Sequence, residues 1–274
     1  MTITIGFIGA GNMAGALAGG IHARGHAAEG LMLSDTSERQ LQPFRDKGMR
    51  TTMDNRELAA AADVLVLSVK PQVMKDVLKP LADIVQARQP LVVSIAAGIP
   101  AASIERWLGG DVAVVRAMPN TPALVQAGAT GLYANRRVTQ ELRQQAAAIL
   151  GAVGISVWVE DEALIDSVTA VSGSGPAYFF YVMEAMIAAG RELGLDEATA
   201  RSLTLQTALG AAQMAISADV GPEELRRRVT SPGGTTERAI AALEEGQVKA
   251  VFARALQACA ARGGELAELL GGQD

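Results

Sequence analysis

The chain reads as an α/β protein: an N-terminal doubly wound, mostly parallel sheet followed by an all-α C-terminal portion. Three observations predict this. Short apolar runs without alternation recur through the first 160 residues, the pattern of strands buried on both faces. Helix-length segments separate them, so the strands should run parallel. Beyond Glu160 no strand-like run occurs, and two glycine-rich breaks interrupt what is otherwise helical sequence. A domain boundary is therefore expected near Asp161, dividing residues 1–160 from 161–274.

The first apolar run, Ile3 to Ile8, breaks into Gly9-Ala10-Gly11 and resumes as small and apolar residues at helical spacing. Gly9 permits a tight turn, Gly11 lets the backbone approach a pyrophosphate, and Ala14 still allows close helix-to-sheet packing. The new helix turns unpaired N–H groups and a positive dipole end toward a diphosphate. A strand, this turn and a helix at the start of the chain point to a Rossmann-type dinucleotide-binding domain.

The second run, Leu31 to Asp35, ends in an acidic residue, which at this place holds a ribose 2′-hydroxyl and favours NAD. Ser34, Thr36, Ser37 and Arg39 could equally surround a 2′-phosphate, and Asp35 could instead serve the turn. The choice between NAD and NADP stays open here. Val64 to Val69 ends at Lys70-Pro71-Gln72, Leu91 to Ile95 at Ala96-Ala97-Gly98, and Val112 to Ala117 at Met118-Pro119-Asn120. Ligands bind at the carboxyl ends of such strands. Lys70 there can meet ribose or phosphate oxygens, or stand solvated at the surface. Gly128 to Tyr133 and Ser156 to Val159 read as further strands, separated by a helix from Thr139 to Leu150.

The helical portion opens at Ser172-Gly173-Ser174-Gly175-Pro176, with Pro176 suited to a helix start. The helix from Pro176 to Leu193 is apolar on nearly every face. Such a helix needs partners all round, and about a hundred residues cannot surround it; a homodimer is the least assembly expected. The second break, Thr230-Ser231-Pro232-Gly233-Gly234-Thr235-Thr236, offers free backbone amides and a hydroxyl at the start of a helix from Glu237 to Leu243. Thr235 or Thr236 is expected to cap it. That is a site for a small carboxylate.

Composition narrows the chemistry. The chain has 274 residues, 49% hydrophobic and only 4% aromatic, with a formal net charge of −5. That charge argues against nucleic acid or an acidic membrane as partner. Cys259 is the single cysteine, and His22 and His26 are the only histidines, so neither an internal disulfide nor a metal site is expected. Pro176 to Ala189 falls short of the about 20 apolar residues a membrane span needs. The first residues lack a basic start, so a cytoplasmic location is expected. Both histidines lie near the first helix, and lysine is nearly missing beyond Lys79, with Lys249 the one exception. Oxidising an alcohol needs a base of that kind, whereas an imine that carries its own proton accepts hydride with only a hydroxyl to orient its nitrogen.

At these motifs the chain resembles the pyrroline-5-carboxylate reductase family, from end to end. The resemblance rests on Phe7-Ile8-Gly9-Ala10-Gly11-Asn12-Met13, Ser68-Val69-Lys70-Pro71-Gln72 and Met118-Pro119-Asn120-Thr121-Pro122. It rests further on the stretch Asp166 to Tyr178, and above all on Val229 to Thr236 within Pro222 to Leu243. It implies reduction of 1-pyrroline-5-carboxylate to L-proline, the last step of proline biosynthesis, with NADP or NAD as cofactor and NADPH favoured. It implies cofactor contacts at Ile8, Gly9, Ala10, Gly11, Asn12, Met13, Asn55, Ser68, Val69, Lys70, Pro71, Ile95, Ala96 and Ala97, with Asp35 added from the strand argument. For the imino-acid substrate it implies Glu162, Gly233, Gly234, Thr235 and Thr236, the Thr236 hydroxyl lying on the ring nitrogen as the catalytic group. No metal is implied. The family's helical domain dimerises and its active site lies at the dimer interface; whether dimers form a ring is left open. A β-hydroxyacid dehydrogenase would share the layout but would place a lysine in Pro176 to Leu193, which has none.

Overall fold

The computed structural model describes residues 3–272; the outermost residues of both expected domains, 1–2 and 273–274, lie outside the described residues. The described residues up to Ser174, with those from Ala258 onward, form one compact unit, and Gly175–Gln257 form a second.

The first unit holds an eight-stranded sheet of β1 (Ile5–Ile8), β2 (Leu31–Ser34), β3 (Arg50–Thr52), β4 (Val64–Leu67), β5 (Leu91–Ser94), β6 (Val114–Met118), β7 (Gly128–Ala134) and β8 (Gly154–Trp158). Their spatial order is β3-β2-β1-β4-β5-β6-β7-β8, and only the β6–β7 pair is antiparallel. The doubly wound, mostly parallel sheet is thus as expected. The order reverses at β1, flanked by β2 and β4, which opens a crevice at their carboxyl ends.

Side chains alternate between two apolar layers, as a strand's twofold period requires. Ile5, Phe7, Leu33, Val64, Val66 and Val93 join Leu17, Phe44 and Ile149 on one face. Ile8, Met32, Leu65, Leu67 and Val92 join Leu58, Met74 and Ile104 on the other. Gly6 lets the helix Asn55–Ala61 lie directly on β1, because a Cβ there would sit 2.6 Å from the Leu58 side chain.

Between the sheet and the second unit the chain passes through Leu164–Val168 and a π-turn, Thr169–Gly173. Val168 packs over Gly131 of β7, and a Cβ at Gly173 would meet the Met118 side chain at 2.6 Å. The wider turn is closed by Ser174 N donating to the Thr169 carbonyl at 2.8 Å, a geometry common near functional sites.

In the second unit, helices Gly175–Glu192 and Glu197–Ser217 lead to Pro222–Arg228 and Thr235–Glu245. Phe179, Phe180 and Tyr181 are 68%, 62% and 73% exposed in the single chain, so the helix that sequence alone leaves without partners is bare within one copy. The last helix, Val248–Gly271, carries the chain from the second unit back into the first. No described helix is long and apolar enough to cross a membrane.

Candidate functional site

At the end of β1 the backbone turns through Gly9 at φ +96°, where a Cβ would lie 2.9 Å from the Ser68 carbonyl oxygen. Only glycine fits both the dihedral and the space. Gly9 N donates to the Ser34 carbonyl at 2.8 Å, and the Ser68 hydroxyl reaches the carbonyls of Ile8 and Gly9 at 2.9 and 2.7 Å. The turn is thereby tied to β2 and β4. Gly11 stands at the N-cap of helix Asn12–Ala23 in extended geometry, and no side chain caps it. Among the described residues the amides of Asn12, Met13 and Ala14 meet no protein acceptor, as expected of a first helical turn. A Cβ at Gly11 would touch nothing within 4 Å. The cradle therefore fits a diphosphate: its donors are unspent and its approach is open.

The neighbouring strand ends complete one rim. Asp35, just past β2, accepts from Ala10 N at 3.0 Å and from Ser37 N at 2.9 Å. Asn55 begins the helix after β3, and its Oδ1 accepts the buried Ser34 hydroxyl at 2.7 Å. Val69 and Pro71 flank Lys70, which is exposed and precedes the turn Pro71–Val73. Ile95 donates its amide to the Leu67 carbonyl at 3.1 Å, and Ala96 and Ala97 follow it off β5. Ile8, Ala10 and Met13 complete the set. All of these residues collect at the carboxyl ends of β1 to β5.

Glu162 lies in the same unit. Its Oε1 accepts from Arg116 of β6 at 2.8 Å and from Ala101 N, at the start of helix Ala101–Trp107, at 2.7 Å. Oε2 meets no protein donor among the described residues. Arg116 is buried, its side chain 6% exposed. Burial raises the Asp166 carboxyl above its usual range, Arg116 pulling it back and Glu162 pushing it further up. Burial likewise raises the Tyr133 hydroxyl, aided by Glu162 and Asp161.

The second unit carries the other glycine-rich break. Gly234 N donates to the Ser231 carbonyl at 3.0 Å, and Gly233 takes φ +71°. The helix starts at Thr235, with Gly234 as its N-cap and no side-chain cap. The expected threonine cap is thus corrected: the turn through Gly233 brings Gly234 to the cap position and carries both threonines into the first helical turn. Glu237 Oε2 instead accepts from Gly233 N at 2.8 Å. The amides of Thr235 and Thr236 meet no protein acceptor among the described residues, and Thr236 keeps a free hydroxyl.

One bracket was not legible as such. Asn120, within Met118-Pro119-Asn120-Thr121-Pro122, donates to the Ser172 carbonyl at 3.0 Å and accepts from Ala129 N at 2.9 Å. It locks the exit of β6 to the π-turn. A polar residue between two prolines was its only signal.

Residues 162–266 match the family model described as pyrroline-5-carboxylate reductase dimerisation, and residues 4–98 match NADP oxidoreductase, coenzyme F420-dependent. A pyrroline-5-carboxylate reductase of Pseudomonas aeruginosa is 55% identical over 271 residues, 98% of this chain and 99% of that one. The chain belongs to the pyrroline-5-carboxylate reductase family. A solved pyrroline-5-carboxylate reductase of Coxiella burnetii shares 46% identity at a TM-score of 0.94, covering 97% of this chain and 99% of that one. A Plasmodium falciparum pyrroline carboxylate reductase with NADP bound shares 30% identity at a TM-score of 0.85, covering 97% and 98%. The chain is accordingly an NAD(P)-dependent oxidoreductase of proline biosynthesis, reducing 1-pyrroline-5-carboxylate to L-proline in the last step.

Proposed function

We propose how this chain's residues divide the work. Residues 1–160 serve as the dinucleotide-binding domain and 161–274 as the helical dimerisation and substrate domain, a division supported by the dimerisation match over 162–266. The amides of Asn12 and Met13 take the cofactor diphosphate, with Gly9, Ala10 and Gly11 giving the backbone room and Ile8 ending the strand beneath. Asp35 and Asn55 face the adenosine end, and Ser68, Val69, Lys70, Pro71, Ile95, Ala96 and Ala97 line the remaining strand ends. NADPH is favoured over NADH, a reading supported by the NADP bound to the Plasmodium relative.

When bound, NAD(P)H would supply a hydride to C5 of the protonated ring imine, whose C=N π pair becomes the lone pair of an amine nitrogen that already carries its proton. The chain's own part is orientation. The Thr236 hydroxyl fixes the ring nitrogen, and the amides of Thr235 and Thr236, brought forward by the turn through Gly233 and Gly234, receive the carboxylate. Glu162 stands in the substrate set through its unspent Oε2. Holding reacting carbons at about 3–3.5 Å is itself a large part of such catalysis. The single observation that carries this reading is the helix start at Gly234 without a side-chain cap, where the Thr236 hydroxyl and the Thr235 and Thr236 amides are unspent among the described residues. A homodimer is the working assembly, supported by the bare apolar helix Gly175–Glu192; a ring of dimers is a further step the same surface permits. The cytoplasm, where the cofactor pool and amino-acid synthesis meet, is the proposed location. Thr236→Ala tests the scheme: turnover with NADPH should fall steeply while cofactor affinity stays put. Unchanged turnover would remove Thr236 from the mechanism.

A further inference from the structure

Residues 232–236 have few backbone donors to offer a ligand, and the turn divides them sharply. Pro232 carries no N–H. Gly234 N is engaged by the Ser231 carbonyl at 3.0 Å. Gly233 N donates to Glu237 Oε2 at 2.8 Å. The amides of Thr235 and Thr236 remain free among the described residues, with the Thr236 hydroxyl beside them. Two amides and a hydroxyl match a small acid that brings two carboxylate oxygens and one ring nitrogen.

Glu237 decides that division. A glutamate three places after a helix cap ordinarily reaches back to the cap residue's own amide. Here the amide of the cap residue, Gly234, is turned to Ser231, and Glu237 reaches one residue further, to Gly233. Gly233 takes φ +71°, and a Cβ there would touch nothing within 4 Å. Nothing packs against that side of the turn, and glycine holds a dihedral less firmly than any other residue. The Glu237 carboxylate is the one side-chain bond to residues 232–236 among the described residues. It also sets a negative charge in the first helical turn, the turn whose amides stay free.

We propose that Glu237 is a positioning residue for the reduction: by holding Gly233 N it fixes the turn that leaves the Thr235 and Thr236 amides and the Thr236 hydroxyl for the imino acid. Its charge faces the same helix end as the substrate carboxylate, so the tie that shapes the site also weakens its hold on the ligand. The proposal rests on the substrate reading above.

Steady-state reduction of 1-pyrroline-5-carboxylate with saturating NADPH tests it in Glu237→Ala, Glu237→Gln and Thr236→Ala. Alanine removes both acceptor and charge, so kcat should fall by about tenfold as the ring loses its alignment. Glutamine keeps an acceptor oxygen for Gly233 N and removes only the charge. It should recover most of that kcat and bring KM for the imino acid about threefold below wild type, a gain that fades in high salt. If Thr236→Ala is slow but Glu237→Ala turns over as wild type does, or if the glutamine variant is as slow as the alanine one, the proposal alone is overturned. Undiminished turnover in Thr236→Ala would sink the substrate reading, and the proposal with it.

Discussion

Glu162→Ala probes the buried pair that joins β6 to the start of the helical segment. Arg116 has only 6% of its side chain exposed and Glu162 27%. Removing the carboxylate leaves a guanidinium in the protein interior with its nearest anion gone, which costs about 3 kcal/mol, the low end for a broken buried pair because Glu162 is partly wet. The same change strips Ala101 N of its acceptor at the head of helix Ala101–Trp107, adding about 1 kcal/mol, the usual loss for an N-terminal cap. For a chain of this size the sum corresponds to a melting point lower by roughly 8–12 °C. Circular dichroism melts at one fixed protein concentration measure it, since a dimer's melting point depends on concentration. The double variant Arg116→Met with Glu162→Leu should recover most of the loss, because a well-packed apolar pair replaces an ionic one at little cost. A Glu162→Ala enzyme that melts within about 2 °C of wild type, or a double variant no better than the single, would refute the reasoning.

Gly9→Ala should weaken cofactor binding by at least about tenfold, since the left-handed dihedral and the Ser68 carbonyl both exclude a methyl group; near-normal affinity in a titration would contradict the turn's role. The raised Asp166 carboxyl holds a proton in the folded chain that the unfolded chain releases from its ordinary 3.8 upward. Its contribution is present below that value and is lost as pH rises through the raised one, so Asp166→Asn should flatten the fall in melting temperature between acid and neutral pH; identical slopes would count against it. Phe180→Glu, on the bare face of helix Gly175–Glu192, should yield monomers in sedimentation velocity at concentrations where wild type is dimeric. Wild-type sedimentation in that variant would move the interface elsewhere.

Much of the first unit was legible because its strands are continuous apolar runs that end at glycine, lysine-proline or methionine-proline. The strand ends moved by one or two residues where local packing decides. The expected start of β8 at Ser156 gave way to Gly154, which lies so near the Gly128 backbone that a Cβ at Gly154 would collide with it. The strand Arg50–Thr52 left no trace in the pattern, being three residues long, polar and at the sheet edge. The turn at Gly233 could be read as special but its cap could not, because choosing between glycine and threonine at a helix start depends on a dihedral that sequence does not carry. Asp35 shows the same limit: its residue type was visible, whereas the two amides that hold it still come from segments 25 residues away and two residues away. The Arg116–Glu162 pair spans 46 positions, and no periodicity links its members.

The return of the last helix has a bearing on how this chain is made. Its final turns come back against the sheet unit, where a Cβ at Gly263 would crowd the Asp166 carboxylate and the Gly271 carbonyl accepts from the Ser103 hydroxyl at 2.9 Å. The sheet-bearing unit is therefore discontinuous, with Gly175–Gln257 inserted in it. On the ribosome the strands emerge first, yet their partner segment emerges only after Gly175–Gln257. A nascent chain stalled between Trp158 and Ala258 would hold all eight strands and lack the segment that seals one flank, so removing that segment is expected to harm the sheet unit rather than the helices that precede it.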